Sequence, residues 1–359
     1  MWKAMQYKCP NCGGGLEFNT EAQNVKCPFC DSEFATEDLK AYDEILSSET
    51  EQKQIEWEKE DRLYTEDEKE NISVYSCKSC GGEIIADNTT GATHCPYCGN
   101  PVIVMGKFAD SLKPDLVIPF KIDKESAKKK YYEYISKKFF APKSFKLNSH
   151  IDEIKGLYVP FWLFDAIADG TLRFKGTRVR KWTQGNYDYT ETSYFAVVRQ
   201  GNLGYEAVPV DGASKLDDAL MESIGPFEVK DAVDFQTAYL TGFMADRYDV
   251  SSQTCEQRAS QRIRNDFESE VRNTVHGYTS LTLENSQIYL QKNRLRYALY
   301  PVWLLSTTYN GEKYTFAMNG QNGKFIGNSP ADSKKVALTS IIASALSTAA
   351  AFLIAYFCF

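Results

Sequence analysis

Eight of the ten cysteines fall into two copies of one pattern. The first copy is Cys9-Pro-Asn-Cys12 with Cys27-Pro-Phe-Cys30, and the second is Cys77-Lys-Ser-Cys80 with Cys95-Pro-Tyr-Cys98. The copies are offset by 68 residues, and the match runs past the cysteines: Tyr7 corresponds to Tyr75, Gly13-Gly14 to Gly81-Gly82, Leu16 to Ile84 and Pro28 to Pro96. Two cysteines separated by two residues on a tight turn offer both thiolates to one ion. A second such turn completes a tetrahedral four-thiolate site with metal–sulfur bonds of ~2.3 Å. The expected ligands are therefore Cys9, Cys12, Cys27 and Cys30 for one ion and Cys77, Cys80, Cys95 and Cys98 for another. With all four positions filled by protein there is none left for a substrate, so two structural Zn2+ ions are expected rather than a catalytic metal. A cytoplasmic chain does not keep stable disulfides, whereas an all-thiolate iron site has the same spacing and stands as the alternative. His94 precedes Cys95, but Lys26 holds the matching place in the first copy, so His94 is read as a bystander.

Each ribbon is too small to build its own core, and the metal must supply its folding energy. The glycine pairs allow the backbone of the turns, and Leu16–Phe18 and Ile84–Ala86 are the strands leaving them. The two ribbons, 1–36 and 73–106, are joined by residues 37–72, where fourteen acidic side chains face five basic ones. That stretch is expected to be an exposed, acidic helical linker broken around Ser47-Ser48, with Leu39, Tyr42 and Leu46 on one face.

Beyond Pro101 the composition turns aromatic and β-rich, and residues 107–330 are expected to fold as an α+β domain, an antiparallel sheet with a few helices. A strand over Leu116–Phe120 leads into a helix from about Asp123 to Phe139, with Ala127, Tyr131, Ile135 and Phe139 at four-residue spacing. Residues 121–146 hold nine lysines against three acids, a solvated face by default and a lipid or nucleic-acid contact in the sharper readings. From Leu157 short strands are expected, with turns at Asn186, Gly201-Asn202 and Asn310-Gly311. Val159-Pro160-Phe161-Trp162-Leu163 echoes Tyr300-Pro301-Val302-Trp303-Leu304, each opening a strand, with the tryptophans in the core. A helix from Ser252 to Val275 buries Cys255, Ala259, Ile263, Phe267 and Val271, so Cys255 is a small core hydrophobe.

Both ends bear on location. Met1–Gln6 runs into Cys9 without the apolar stretch of a secretory signal. Residues 336–359 carry no charge, proline or glycine and follow Lys334-Lys335. As a helix they span ~36 Å, more than the ~30 Å of a bilayer's hydrocarbon core. A single-pass tail anchor in the cell membrane is expected, with the flanking lysines keeping the bulk of the chain cytoplasmic. Ala343, Ser347 and Ala351 make a small-residue stripe through which spans could form a homo-oligomer.

The chain has 359 residues, 43% apolar and 25% charged, with a net charge of -7. That excludes wholesale disorder and a globally basic, DNA-coating surface. No phosphate-binding GxxxxGK[ST] loop, GxSxG, HExxH or paired-carboxylate motif occurs; Gly320-Gln-Asn-Gly323-Lys324 is read as a hairpin turn. The three histidines, His94, His150 and His276, have no nucleophile or metal partner at motif spacing, so no enzyme activity is expected.

Longer motifs carry a resemblance. After the ribbons come Leu112-Lys-Pro-Asp-Leu-Val-Ile-Pro-Phe-Lys-Ile122, Phe139-Phe-Ala-Pro142, Tyr158-Val-Pro-Phe-Trp162, Tyr239-Leu-Thr-Gly-Phe-Met-Ala-Asp-Arg-Tyr248 and Phe316-Ala-Met-Asn-Gly-Gln-Asn-Gly323. Over residues 75–330 the chain resembles the bacterial double zinc-ribbon membrane proteins, often described as carrying a transcription-factor-B-type ribbon or as relatives of the replication-restart helicase. The ATP-binding loop of a helicase is missing here. Some relatives are encoded beside flotillin-like and phage-shock-type coat proteins, which implies a role at the membrane with such partners. The expectation is a non-enzymatic, membrane-tethered adaptor that binds protein partners. The alternative is nucleic-acid binding by the ribbons, which their charge disfavours: residues 1–36 carry three lysines and four acids, and residues 73–106 one lysine and two acids.

Overall fold

A continuous buried run from Gly156 to Phe164 passes into strict in-and-out alternation from Asp165 to Thr177, and both lie on one strand of 30 residues, Lys155–Gln184. The protein is seen here as a computed structural model that describes residues 9, 14–20, 22–39, 57–59, 61–87, 94–98, 100, 103–107, 112–146 and 154–358. Its fold is mixed α+β. The first ribbon supplies β1 (Glu17–Asn19), β2 (Asn24–Lys26) and β3 (Glu33–Phe34), a small antiparallel sheet of its own. β4 (Glu58–Lys59) and a one-turn helix α1 (Glu66–Glu70) follow, the latter closed by a Thr65–Glu68 capping box. The second ribbon supplies β5 (Ile72–Ser76), β6 (Glu83–Asp87) and β7 (Ile103–Lys107). Then come β8 (Leu116–Val117), α2 (Lys124–Ser136), β9 (Lys155–Gln184), β10 (Tyr187–Asp211) and α3 (Asp218–Ile224). The chain continues with β11 (Val233–Asp234), β12 (Met244–Asp246), α4 (Ser252–Asn273) and β13 (Ser280–Tyr309). It ends with β14 (Glu312–Asn319), β15 (Phe325–Gly327) and α5 (Ser333–Cys358).

Two compact units divide this chain: 1–58, 164–208 and 257–294 form the first, and 59–163, 209–256 and 295–359 the second. In the first unit, α4 lays Ile263, Phe267 and Val271 against Ala166, Ala168, Leu172 and Phe174 of β9 and Val197 of β10. The β9–β10 hairpin turns through Gly185, whose φ of 63° only glycine takes without cost, and Trp182 stacks on Tyr189 across it. In the second unit the strands neighbour one another in the order β11-β8-β13-β9-β12-β6-β5-β7, with β14 on β13 and β15 on β14. Two pairs are parallel, β12 on β9 and β8 on β13, whereas β11–β8, β12–β6, β5–β6, β5–β7, β13–β14 and β14–β15 are antiparallel. Its core gathers Ala127, Tyr131 and Ile135 of α2 with Trp303, Leu305, Phe316 and Met318.

The tryptophan echo is the visible part of a deeper duplication. Two segments, each a short strand, a helix and a long hairpin, interlock crosswise. Trp162 Nε1 in the first donates to Val250 O in the second at 3.0 Å, and Trp303 Nε1 in the second donates to Ile122 O in the first at 2.9 Å. Gly212 N donates to Pro160 O at 2.9 Å, and Gly320 N to Pro301 O at 2.8 Å. Gly212 O accepts from Asp249 and Val250, as Gly320 O accepts from Lys121 and Ile122. Even the helix faces correspond: Ala127, Tyr131 and Ile135 match Cys255, Ala259 and Ile263, all buried. Each first strand is therefore parallel to the other segment's long strand, which explains the two parallel pairs.

Four expectations change. The strands after Leu157 are long, and Gly201-Asn202 lies inside β10 rather than in a turn, because the alternating pattern on either side outweighs a dipeptide whose backbone stays extended. The Pro-x-Trp-Leu motifs sit within β9 and β13 rather than at their starts. The basic helix stops at Ser136, which leaves Phe139 beyond it and 67% exposed. In residues 57–72 the acidic stretch holds β4 and a single helical turn, and Tyr64 and Ile72 are buried, so this part is no exposed spacer; Tyr42, Leu46 and Ser47-Ser48 lie outside the described residues.

Candidate metal centres

The second ribbon brings its four cysteines together, and the first brings together the three that are described. The sulfurs of Cys77, Cys80, Cys95 and Cys98 all lie within 4.8 Å of one another, as do those of Cys9, Cys27 and Cys30; Cys12 lies outside the described residues. Sulfur pairs sit 3.4 Å apart for Cys77–Cys98 and 3.6 Å for Cys80–Cys95 and Cys9–Cys30. The edge of a tetrahedron with ~2.3 Å metal–sulfur bonds is about 3.8 Å, so the spacing suits one ion per cluster.

The turns follow from the sequence. Cys77 N donates to Gly82 O at 2.9 Å and Gly81 N to Cys77 O at 2.8 Å, and the chain turns at Gly81 with φ of 70°. In the first ribbon the same bonds join Cys27 N to Ser32 O and Asp31 N to Cys27 O, and Asp31 takes the left-handed backbone at φ 54°. Close packing explains the second glycine of each pair: a Cβ on Gly14 would meet Phe29 at 2.5 Å, and one on Gly82 would meet Tyr97 at 3.2 Å. His94 stands apart from the cluster, its carbonyl accepting from Lys155 Nζ at 3.0 Å.

Burial and hydrogen bonding act on the thiols of the second cluster in opposite directions. Burial pushes the Cys80 and Cys95 thiols up. At Cys98 burial acts the same way but is outweighed by the Asn100 backbone amide and the neighbouring thiols, which bring it down to about 7. A thiol gives up its proton to become a metal ligand, so metal binding to these cysteines would release protons.

The duplicated positions differ in what surrounds them. Phe29 is 75% exposed and its counterpart Tyr97 only 3%. The difference arises because the second ribbon is sewn into its unit: β6 pairs with β12 through Ile84–Asp246 and Ile85–Ala245, and Arg247 Nη1 meets Glu83 Oε2 at 3.0 Å. Tyr97 faces the carboxyl of Asp246, which is wholly buried. Burial raises that carboxyl to about 7, against the pull of Tyr97 and of the Lys215 ammonium. Sequence reasoning missed Asp246 because a lone aspartate in Ala-Asp-Arg-Tyr carries no ligand spacing.

It also missed Asn319, which is fully buried. Asn319 Nδ2 donates to Ile224 O and Pro226 O at 3.1 and 3.2 Å, while its Oδ1 accepts from Gln321 N at 2.8 Å and Asn322 N at 3.1 Å. Gln321 in turn bonds Glu228 through both its amide oxygen and nitrogen. The Asn-Gly-Gln-Asn-Gly turn is a hairpin turn as expected, and it also clasps residues 224–228.

A protein of Bacillus subtilis strain 168, the uncharacterised YdjG, is 34% identical over 333 residues, which cover 93% of this chain and 92% of that protein. The chain belongs to the YdjG family. No family model matches it. No solved structure matches it either.

One more element bears on function. α5 contains a stretch, Ser333–Leu353, long and apolar enough to cross a membrane, and none of it is buried against the protein.

Proposed function

We propose that this protein is a non-enzymatic adaptor, tethered by α5 to the cytoplasmic face of a cell membrane and holding two structural zinc ions. Four cysteines around one ion leave no coordination site for a substrate, and the thiolate set favours zinc. An unburied apolar helix after two lysines supports the tether.

The observation that carries the reading is the contrast between Phe29 and Tyr97. Duplication gave both ribbons an aromatic ring at the tip of the second turn. In the second ribbon that ring is used inside the protein, so this ribbon is part of the scaffold. In the first, Phe29 stands in solvent with Phe18 also exposed, an apolar knob on a rigid, metal-held mount. The partner implied by the resemblance is a flotillin-like or phage-shock-type coat protein.

The test is recovery of partners with the tagged full chain, extracted from membranes in mild detergent. A flotillin-like or coat protein should accompany the wild type and be lost with Phe29→Ala, while metal content is unchanged. Recovery of DNA or replication proteins, or equal recovery with Phe29→Ala, contradicts the proposal.

A further inference from the structure

The turn after α2 carries two phenylalanines in water. Phe139 is 67% and Phe140 41% exposed, and their rings meet edge to face at 5.2 Å. Neighbouring exposed aromatic rings are costly in solvent, and this pair sits at a particular place. Asp332 N donates to Phe140 O at 2.8 Å. Lys335 Nζ donates to Ala141 O at 2.6 Å and reaches Phe139 O at 3.5 Å. The first turn of α5 is thus stapled to this turn by backbone carbonyls on either side of the rings. At ~1.5 Å rise per residue, Val336 and the apolar face of α5 begin within one helical turn of the staple.

Charge points the same way. Lys137, Lys138, Lys143 and Lys334 are exposed in the two segments that the staple joins, Lys138 with its Nζ 5.0 Å from the Tyr134 ring centre. Within residues 131–146 and 328–340 the acids are Glu133 and Asp332, and Asp332 is engaged, its Oδ1 accepting from Lys334 N at 3.0 Å. Aromatic rings flanked by lysines at the start of an apolar helix match the boundary between headgroups and acyl chains, where the rings lose water and the ammonium groups meet anionic phosphate.

We infer that Phe139 and Phe140 insert into the headgroup region of an anionic leaflet, with Lys137, Lys138 and Lys143 on the phosphates, and so fix how the second unit stands on the membrane. The inference rests on the reading of α5 as the span. The occupant is the bilayer because the staple leaves the rings at the level where the span begins.

The experiment uses the full chain in nanodiscs of mixed phosphatidylglycerol and phosphatidylcholine, with Phe139 replaced by trifluoromethylphenylalanine as the single fluorine label. Relaxation of that fluorine should respond several-fold more to a doxyl-labelled lipid than to a water-soluble gadolinium chelate. The lipid response should fall about tenfold or more when Lys137→Glu, Lys138→Glu and Lys143→Glu are combined, each lysine contributing a few-fold. A label relaxed by gadolinium and not by lipid, in protein that resists carbonate extraction, overturns this inference and leaves the span intact. A label shielded from both probes places protein on the turn and also overturns it. Protein released by carbonate removes the span reading and this inference together.

Discussion

At the scale of single residues, the clustering of Cys77, Cys80, Cys95 and Cys98, and of Cys9, Cys27 and Cys30, was legible in the spacing, because a four-thiolate site restricts the sequence distances between its ligands. Tyr97 and Asp246 were not, because they lie 149 residues apart in the chain and meet only through the pairing of β6 with β12. Asp246 has a consequence for stability. Burial raises its carboxyl to about 7, whereas an unfolded aspartate titrates near ~4. Between those values the folded protein keeps a proton that the unfolded chain has lost. The stability this contributes is complete below about pH 4 and is lost as pH rises through 7. Asp246→Asn removes the charge that must be buried at high pH. Chemical denaturation of the metal-loaded protein should find the variant more stable at pH 8, by about 2–4 kcal/mol, with the gap narrowing toward pH 6. A variant less stable at pH 8 would show that the ionised carboxylate holds the ribbon in place.

Elements show where sequence reading ends. The Pro-x-Trp-Leu echo hinted at an internal repeat, yet the crosswise interlocking is made by backbone groups, Gly212 and Gly320 among them, which leave little trace in side-chain type. Amphipathic spacing placed the buried face of α4 and that of α2 as far as Ile135, since packing selects for it directly, but carried the α2 face one turn too far, to the exposed Phe139. The length of β10 escaped because Gly201-Asn202 looks like a turn when its neighbours are ignored. The clasp at Asn319 also belongs to this scale. Asn319→Ala leaves the carbonyls of Ile224 and Pro226 and the amides of Gln321 and Asn322 short of partners, and should cost about 3 kcal/mol. Denaturant titration measures this, and a loss below about 1 kcal/mol would mean that water replaces the amide. The ribbons should also differ in kind. Cys77→Ser should lower the melting temperature of the second unit through β6 and β12, whereas Cys27→Ser should release one ion and unfold the first ribbon alone.

Among the described residues the molecule combines two cysteine clusters that could each hold a metal ion, a duplicated α+β body and one apolar helix long enough to cross a membrane. Removing residues 333–359 should yield protein that stays in the supernatant after a high-salt wash of membranes, since Ser333–Leu353 is the candidate span among the described residues. A truncated chain that still pellets would need a second anchor. Folding of both ribbons is predicted to depend on metal, because each lacks the core to fold unaided, and the second ribbon is part of the main sheet. Elemental analysis of the full chain, extracted from membranes without chelator, tests that most directly. Two zinc ions per chain are predicted; one metal per chain, or mainly iron, would contradict the account.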